Sequence, residues 1–206
     1  EPKDTIAVLL SDYVKLNNIL IDLSRDIWGY ISLGYFKQRL KEGEVGSSTM
    51  PHKVNPIDFE NAEGNLGMAN ANLNHISNTV TISRWQRDLT DSTIMRNIGT
   101  CFGYMNIALR SLQKGLNKLE LNDQRLKEDL SNSWEVLTEA IQTIIRKNNI
   151  PNGYELMKKL SRGKDIDEKN LVEFINTMDV PSEDKKRLLQ LTPQSYVGYA
   201  EKLSKD

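Results

Sequence analysis

The sequence predicts an all-α protein, with a long-helix bundle portion over residues 1–118 and a small, compact helical domain over residues 119–206. Two observations favour this fold class. Apolar residues recur every three or four positions through most of the chain, and no run alternates between apolar and polar residues as a strand would. A third observation distinguishes the two parts. After Leu119 the predicted helices become short and are separated by turn residues.

In the N-terminal part, the apolar pattern predicts two long helices joined by a loop. The first begins at Ile6 and exceeds thirty residues, and residues 41–51, with their glycines and proline, form the loop. Asn55 and Pro56 are typical of an N-cap and a first helical position, so the second helix runs from Pro56 to about Val80. Because this helix is rich in Gly and Asn, which are poor helix formers, we expect close packing in a bundle or a subunit interface to hold it.

The remaining elements are also helical. A polar stretch over residues 83–90 precedes a third long helix that begins near Asp91 and ends near Lys118, with Cys101 on its apolar stripe and therefore in the core. Shorter helices are predicted after it, with Asp167 and Ser182 as N-caps. Their ranges are 131–148, 154–160, 167–178, 182–191 and 193–203.

Composition excludes several classes of protein. The formal net charge is −1 and basic residues are spread along the chain, which argues against a nucleic-acid or membrane-surface partner. No apolar run approaches the roughly 18 residues that cross a bilayer. A single cysteine predicts a reducing compartment, the cytoplasm. The chain begins at Glu1 and enters a helical pattern at once, so we expect it to be a piece of a longer protein.

The first segment that carries chemistry spans residues 46–56, Gly-Ser-Ser-Thr-Met-Pro-His-Lys-Val-Asn-Pro. It offers two hydroxyls beside a glycine, a lysine, an asparagine and the exposed N–H groups of a helix start. A helix N-terminus favours negative charge and Lys53 adds a full positive charge, so the pattern indicates an anion site. A capped surface loop between two helices explains the same residues, and spacing alone favours that alternative.

The second segment spans residues 83–96 and contains Arg87, Ser92, Thr93 and Arg96. If a helix begins near Asp91, Ser92 and Arg96 lie four residues apart and share a face. Hydroxyls, N–H groups of the first turn and a guanidinium would then converge as a phosphate site. On spacing alone, a surface N-cap with an exposed arginine is the favoured alternative.

The first segment resembles the signature of the fumarase/aspartase superfamily, Gly-Ser-Ser-x-Met-Pro-x-Lys-x-Asn-Pro, and contains all eight of its fixed positions. This resemblance implies β-elimination, in which a Cβ proton leaves, an aci-carboxylate carbanion forms, and fumarate is released. It implies Ser47 as the general base, activated by N–H donors and positive charge. It also implies that Ser48, Lys53, Val54, Asn55 and Asn61 bind the substrate.

The second segment is similar to the pattern Arg-Asp-x-(Ser/Thr)-x-Ser-(Ser/Thr)-x-x-Arg of the adenylosuccinate lyase family, bacterial-type branch. The resemblance implies that Arg87, Ser92, Thr93 and Arg96 hold the substrate, including its nucleotide phosphate. It further implies cleavage of adenylosuccinate to AMP and fumarate, and of succinyl-aminoimidazole-carboxamide ribotide, without metal or cofactor. Homotetramers whose sites draw on three subunits are expected, so the two segments would face different neighbours.

One feature departs from the family pattern, in which the general acid is a histidine. The chain has two histidines, His52 and His75, and neither is assigned as the acid, so we expect the acid to lie before Glu1 and this chain alone to be inactive. Two alternatives stay open. A sibling such as argininosuccinate lyase shares the first segment, although Arg87 and Arg96 count against it. A non-catalytic protein with the lyase fold has no need of the intact set Ser47, Lys53 and Asn55.

Overall fold

The computed structural model describes residues 3–39, 55–85, 89–153, 155, 157–158 and 166–205. The chain forms two compact units, Glu1–Asn122 and Asp123–Asp206. Helices dominate the described part of both units, which confirms the all-α fold class. The domain boundary predicted after residue 118 stays a prediction. Within the described residues, no helix has the length and apolar content that crossing a bilayer requires.

The first unit contains four helices and two very short strands among its described residues. In chain order these are α1 (Asp4–Ser32), β1 (Phe36–Gln38), α2 (Ile57–Thr79), α3 (Thr90–Met95), α4 (Ile98–Leu116) and β2 (Leu119–Leu121).

Three boundaries differ from the sequence prediction. Helix α1 has 29 residues and ends at Ser32, where the chain turns through Gly34 at a left-handed φ of 79°. Helix α2 begins at Ile57 with Pro56 as its N-cap, so the prediction of Asn55 as N-cap was wrong. The predicted third helix is two helices, because the Asn97 amide N–H and side-chain amide both donate to the Ile94 carbonyl at the break.

Packing between α1, α2 and α4 holds the Gly- and Asn-rich helix in place. Ala62, Leu66, Ala69 and Leu73 of α2 are fully buried. The fully buried Asn17 of α1 donates to the Asn70 amide oxygen at 2.8 Å. These contacts confirm the expected close packing and show that tertiary interactions override the poor helix propensity of the segment.

The strands β1 and β2 form an antiparallel pair that the sequence analysis did not predict. Phe36 lies opposite Leu121, and Gln38 lies opposite Leu119. Three-residue strands are too short to show an alternating pattern, so periodicity does not reveal them. The pair brings the chain just after α1 beside the chain just after α4.

Helices α2 and α4 approach closely at Gly115, where a Cβ atom would lie 2.8 Å from Cζ of Phe59. The Phe59 ring is completely buried and has no room to move aside. We therefore expect Gly115→Ala to lower the free energy of unfolding by about 1–3 kcal/mol through overpacking. The measurement is denaturant unfolding followed by circular dichroism.

Gly103 of α4 is the matched control, since a Cβ atom there meets nothing within 4 Å. Gly103→Ala should raise stability by up to about 1 kcal/mol through helix propensity. Equal effects of the two substitutions would contradict the packing argument at Gly115.

In the part that the structure describes, the second unit is built from short helices. They are α5 (Asp123–Ser131), a 3-10 turn (Trp134–Leu137), α6 (Thr138–Lys147), α7 (Glu168–Thr177), α8 (Ser182–Leu189) and α9 (Ala200–Leu203). The predicted Asp167 cap is confirmed by its carboxylate, which accepts from the Asn170 amide at 2.7 Å. The Ser182 cap was wrong, because the helix N-cap is Pro181. Helix α5 was missed, most of the predicted helix 193–203 is not helical, and most of 154–160 lies outside the described residues.

Asp184 is the buried polar centre of the second unit. Lys147 Nζ donates to its carboxylate at 2.7 Å and the Asn148 amide donates at 2.9 Å. These two hydrogen bonds, the Lys147 one foremost, hold the pKa of Asp184 below its usual range. A carboxylate with a depressed folded-state pKa stabilises the fold fully above its unfolded pKa, about 3.9, and that stabilisation is lost as the pH falls through the folded-state pKa.

We therefore expect Asp184→Asn to lower Tm at pH 7, because a hydrogen-bonded charge is removed. The difference in Tm between the two proteins should shrink as the pH falls below about 4. Calorimetry between pH 2 and pH 7 gives this difference in Tm. The control is Asp12→Asn, a substitution at an exposed carboxylate. A difference that stays constant across this range would contradict the assignment.

Candidate functional site

The structure describes half of the predicted site residues. Asn55, Asn61, Ser92, Thr93 and Arg96 lie among the described residues. The others, which are Ser47, Ser48, Lys53, Val54 and Arg87, lie outside them.

The two ends of residues 40–54 are both held by described contacts. On one side, the Arg39 amide donates to the Lys118 carbonyl at 2.8 Å. On the other side, Asn55 is half-buried, and the buried Pro56 accepts through its carbonyl from the Phe59 amide at 3.0 Å as α2 begins. The chain thus has fixed positions on the first unit both before residue 40 and after residue 54.

The start of α2 carries a buried ion pair that sequence analysis did not identify. Lys118 Nζ donates to Oδ2 of Asp58 at 2.8 Å, and Lys114 Nζ lies 3.3 Å from Oδ1 of Asp58. An acidic residue in the first turn ordinarily offsets the positive end of the helix dipole. Here Asp58 pairs with two ammonium groups, and Glu60, the other acidic residue of the first turn, accepts from the Trp28 indole N–H at 3.0 Å.

Asn61 is tied to α4. Its amide Nδ2 donates to the Ser111 hydroxyl at 2.7 Å, and its amide oxygen accepts from Asn65 at 2.7 Å. The side chain stays exposed, one turn into α2. A role as a substrate contact stays a prediction, and these bonds fix where the amide would present itself.

Helix α3 holds the described residues of the second segment. It is anchored by Ile94, which packs in the first core, and by an ion pair between Lys3 and Asp91. Arg96 follows the helix directly with helical backbone angles, so it keeps the predicted position one turn after Ser92.

The polar groups of α3 face solvent. Ser92, Thr93 and Arg96 are all exposed, and the Ser92 hydroxyl donates to the Leu89 carbonyl at 3.0 Å. Trp85, which precedes the helix, is 99% exposed and adopts a left-handed φ of 58°. This exposed arrangement suits a surface that meets a ligand or a neighbouring chain.

Asn61 and the described residues of the second segment lie toward opposite ends of α2 within one chain. Asn61 is one turn from its start, whereas Ile94 of α3 packs in the same core as Ile76 and Val80 near its end. The fifteen positions from Asn61 to Ile76 span roughly 22 Å at a rise of 1.5 Å per residue. The structure therefore does not bring Asn61 and Arg96 of one chain to the same point.

Cys101 lies in the core, as predicted. Its side chain is fully buried, and burial raises the pKa of the thiol. A buried, neutral thiol is a packing group and a poor nucleophile.

Comparison with known proteins agrees with the two segments. The profile of the family described as "Adenylosuccinate lyase C-terminal" matches residues 83–197, and the profile described as "Lyase" matches residues 1–70. An adenylosuccinate lyase of Legionella pneumophila is 57% identical over 205 residues. Those of Haemophilus influenzae and Escherichia coli are 54% and 52% identical over 203 and 200 residues.

These alignments cover 97–100% of the chain and 44–45% of each relative. The chain thus spans a little under half the length of the curated relatives that it matches. The match of the first family profile covers more than half of the chain. The chain belongs to the adenylosuccinate lyase family.

Proposed function

We propose that the protein containing this chain is an adenylosuccinate lyase, which releases fumarate from adenylosuccinate and leaves AMP. The observation that supports this most strongly is the identity of 52–57% to adenylosuccinate lyases along nearly the whole chain. Alignments of that extent span both polar segments, and the second segment is the part suited to a nucleotide phosphate. The same chemistry extends to succinyl-aminoimidazole-carboxamide ribotide, which carries the same succinyl group on nitrogen.

The proposed reaction needs a base, an anion clamp and an acid. Ser47 takes the proton from the Cβ of the succinyl group, and the electron pair moves into the neighbouring carboxylate. Lys53 and Asn55, with the N–H groups at the start of α2, stabilise that aci-carboxylate. The electron pair then returns, the C–N bond breaks, and the leaving nitrogen takes a proton from the general acid.

The pairing of Asp58 with Lys118 and Lys114 is compatible with this assignment, because it reduces the repulsion that Asp58 alone would exert on a substrate carboxylate. No metal or cofactor is proposed for any step.

The general acid is proposed to lie outside this chain. His52 lies outside the described residues, and His75 is an exposed residue near the end of α2. On this proposal the 206 residues hold the base and part of the binding site, and the chain alone is inactive.

The experiment that tests the proposed function compares three substrates with the complete protein. Adenylosuccinate and succinyl-aminoimidazole-carboxamide ribotide should both yield fumarate, whereas argininosuccinate should not. Fumarate release from argininosuccinate alone would favour a sibling lyase. Release from none of the three by folded protein would favour a non-catalytic role.

We also propose that the complete protein is a homotetramer whose sites combine segments from different subunits. The separation of roughly 22 Å along α2 supports this. A substrate bound at Asn61 is within easier reach of Arg96 from a second chain than of Arg96 from the same chain. Neither subunit then carries a whole site. This arrangement also accounts for an exposed α3.

Exposed apolar stripes support the same proposal. Spacings of eight, three, four and seven residues place one stripe on a single face of α1, and spacings of seven place another on α4. The large residues of these stripes are 36–66% exposed. They are Val8, Leu16, Ile19, Leu23 and Tyr30 on α1 and Phe102, Leu109 and Leu116 on α4.

Such faces favour burial against further copies of the chain. Sedimentation equilibrium of the complete protein should give four times the monomer mass, and a monomer would contradict the proposal. A cytoplasmic location is proposed with it, since the chain has one cysteine and that cysteine is a buried free thiol.

A further inference from the structure

We propose that a cavity in the second unit binds a small organic monocarboxylate, whose apolar body lies on the cavity floor and whose carboxylate pairs with Arg187. The cavity has a volume of about 350 Å³, and the described residues that line it lie between Ala140 and Gly198, inside the unit Asp123–Asp206. Small-molecule sites typically enclose about 300–1,000 Å³, so this volume suits a small ligand. The proposal goes beyond the lyase activity and does not depend on it.

The floor of the cavity, which consists of Ala140, Ile144, Leu188 and Leu191, is apolar. Ala140 and Ile144 lie one turn apart on α6, and Leu188 belongs to α8. These three residues are only 3–7% exposed, because they also pack in the core of the second unit. An apolar group that covers the floor leaves water, and that burial favours binding. The ligand is therefore expected to carry an apolar body.

The wall of the cavity over residues 191–198 is held by its own hydrogen bonds. The Tyr196 amide donates to the Thr192 carbonyl at 3.1 Å, and the Thr192 amide donates to the Ser195 hydroxyl at 2.8 Å. The Leu191 amide donates to the Leu188 carbonyl at 3.1 Å, which joins this wall to α8. The cavity is thus formed without a ligand, which lowers the ordering cost of binding.

Arg187 supplies positive charge to the cavity lining. Its side chain is exposed, and none of the ion pairs between described residues includes it. Asp184 lies one turn earlier on α8, but its carboxylate already accepts from Lys147 at 2.7 Å and from Asn148 at 2.9 Å. The Arg187 guanidinium can therefore donate two parallel N–H bonds to a ligand carboxylate.

Two hydroxyl groups of the lining offer no donor for a second anionic group. The Thr143 hydroxyl donates to the Glu139 carbonyl at 3.0 Å, and the Ser195 hydroxyl donates to the Thr192 carbonyl at 3.1 Å. Each hydroxyl has one proton, so both protons are already used. These groups suit an apolar ligand body better than a further charge.

Glu139 also opposes a second negative charge. Burial raises the pKa of Tyr196, and the charge of Glu139 and a hydrogen bond to its carboxylate raise that pKa further. Tyr196 therefore keeps its proton and donates it to Glu139. With this carboxylate beside the lining, a phosphate monoester, whose charge is about −1.5 to −2, fits less well than a carboxylate with one charge.

Methyl NMR of the complete protein with naphthalene-2-carboxylate tests binding. Ala140 and Ile144 line the cavity, so the rings of a bound probe should shift the resonances of their methyl groups. Ile175 is buried in the same unit but is not among the lining residues, and its methyl groups should shift much less. For a ligand of this size we expect a Kd of about 1 mM or tighter. Titration without shifts at Ala140 and Ile144 would overturn the proposal.

The role of charge is tested with naphthalene-2-carboxamide, which has the same shape and no charge. We expect it to bind at least about tenfold more weakly, because it lacks the charge-assisted pair with Arg187. Arg187→Gln should weaken binding of the carboxylate by about ten- to a hundredfold and leave binding of the carboxamide within about threefold. Equal affinities of the wild type for the two probes would contradict the proposal.

Lys186→Gln is the matched control. Lys186 is exposed beside Arg187 on the same helix and does not line the cavity. This substitution removes the same charge and should leave the Kd of the carboxylate within about twofold, because solvent screens an exposed charge. Equal weakening by both variants would overturn the proposal, since general attraction of anions would then explain binding. If Arg187→Gln does not fold, Thr143→Phe decides. Its ring enters the cavity and should abolish binding of both probes, and unchanged binding would overturn the proposal.

Discussion

Ser47→Ala in the complete protein is expected to lower kcat for adenylosuccinate by about a thousandfold or more, or roughly 4 kcal/mol of barrier. The substitution removes the proposed general base, and a positioned general base typically contributes about 10²–10⁴-fold in rate. Substrate should still bind, because Lys53, Asn55 and the second segment are intact. Fumarate absorbance gives kcat, and calorimetric titration gives Kd for adenylosuccinate.

Ser48→Ala is the matched comparison, since it removes the neighbouring hydroxyl. As a substrate contact, Ser48 should affect KM more than kcat. If Ser47→Ala retains turnover within about tenfold, or ~1.4 kcal/mol, Ser47 is not the base. If the two serine variants lose kcat equally, the assignment of the base to the first of the pair is wrong.

Arg96→Ala is expected to weaken AMP binding by about ten- to a hundredfold, the range of one or two charge-assisted hydrogen bonds to phosphate. Arg96 is exposed at the end of α3, so its guanidinium is accessible to a ligand. Adenosine has no phosphate, and its affinity should change little. Titration of both ligands into the wild type and the variant separates loss of phosphate recognition from general damage.

Arg110→Ala is the control for net charge. Arg110 is exposed on α4 and donates to the Asn106 amide oxygen, outside the second segment. AMP affinity that falls equally in both variants would indicate a general electrostatic effect. AMP affinity unchanged in Arg96→Ala would remove phosphate binding from the second segment and reopen the sibling-lyase alternative.

The helical elements were largely predictable because their apolar faces repeat with the period of the helix. Asp167 was recognisable as a cap, since a capping carboxylate acts within its own turn. The break at Asn97 was not, because the apolar stripe continues across it from Ile94 to Cys101. A hydrogen bond from the Asn97 side-chain amide to the Ile94 carbonyl interrupts the helix there, while the apolar residues before and after the break stay on one buried face.

Short motifs are what allow a candidate site to be proposed from the sequence. Both segments have specific spacings and lie within the ranges that the family profiles match. The ion pair of Asp58 with Lys118 and the contact of Phe59 with Gly115 join positions more than fifty residues apart. An acidic residue in the first turn of one helix and a lysine just after the end of another are each common features. No local sequence pattern therefore indicates that these two residues pair.

The most direct test of the central claim measures fumarate release from adenylosuccinate, in parallel, by the complete protein and by this chain alone. We expect the complete protein to form AMP and fumarate in equal amounts and the chain alone to form neither. A folded complete protein that releases no fumarate would contradict the lyase proposal. Turnover by the chain alone would contradict the proposal that the general acid lies outside these 206 residues.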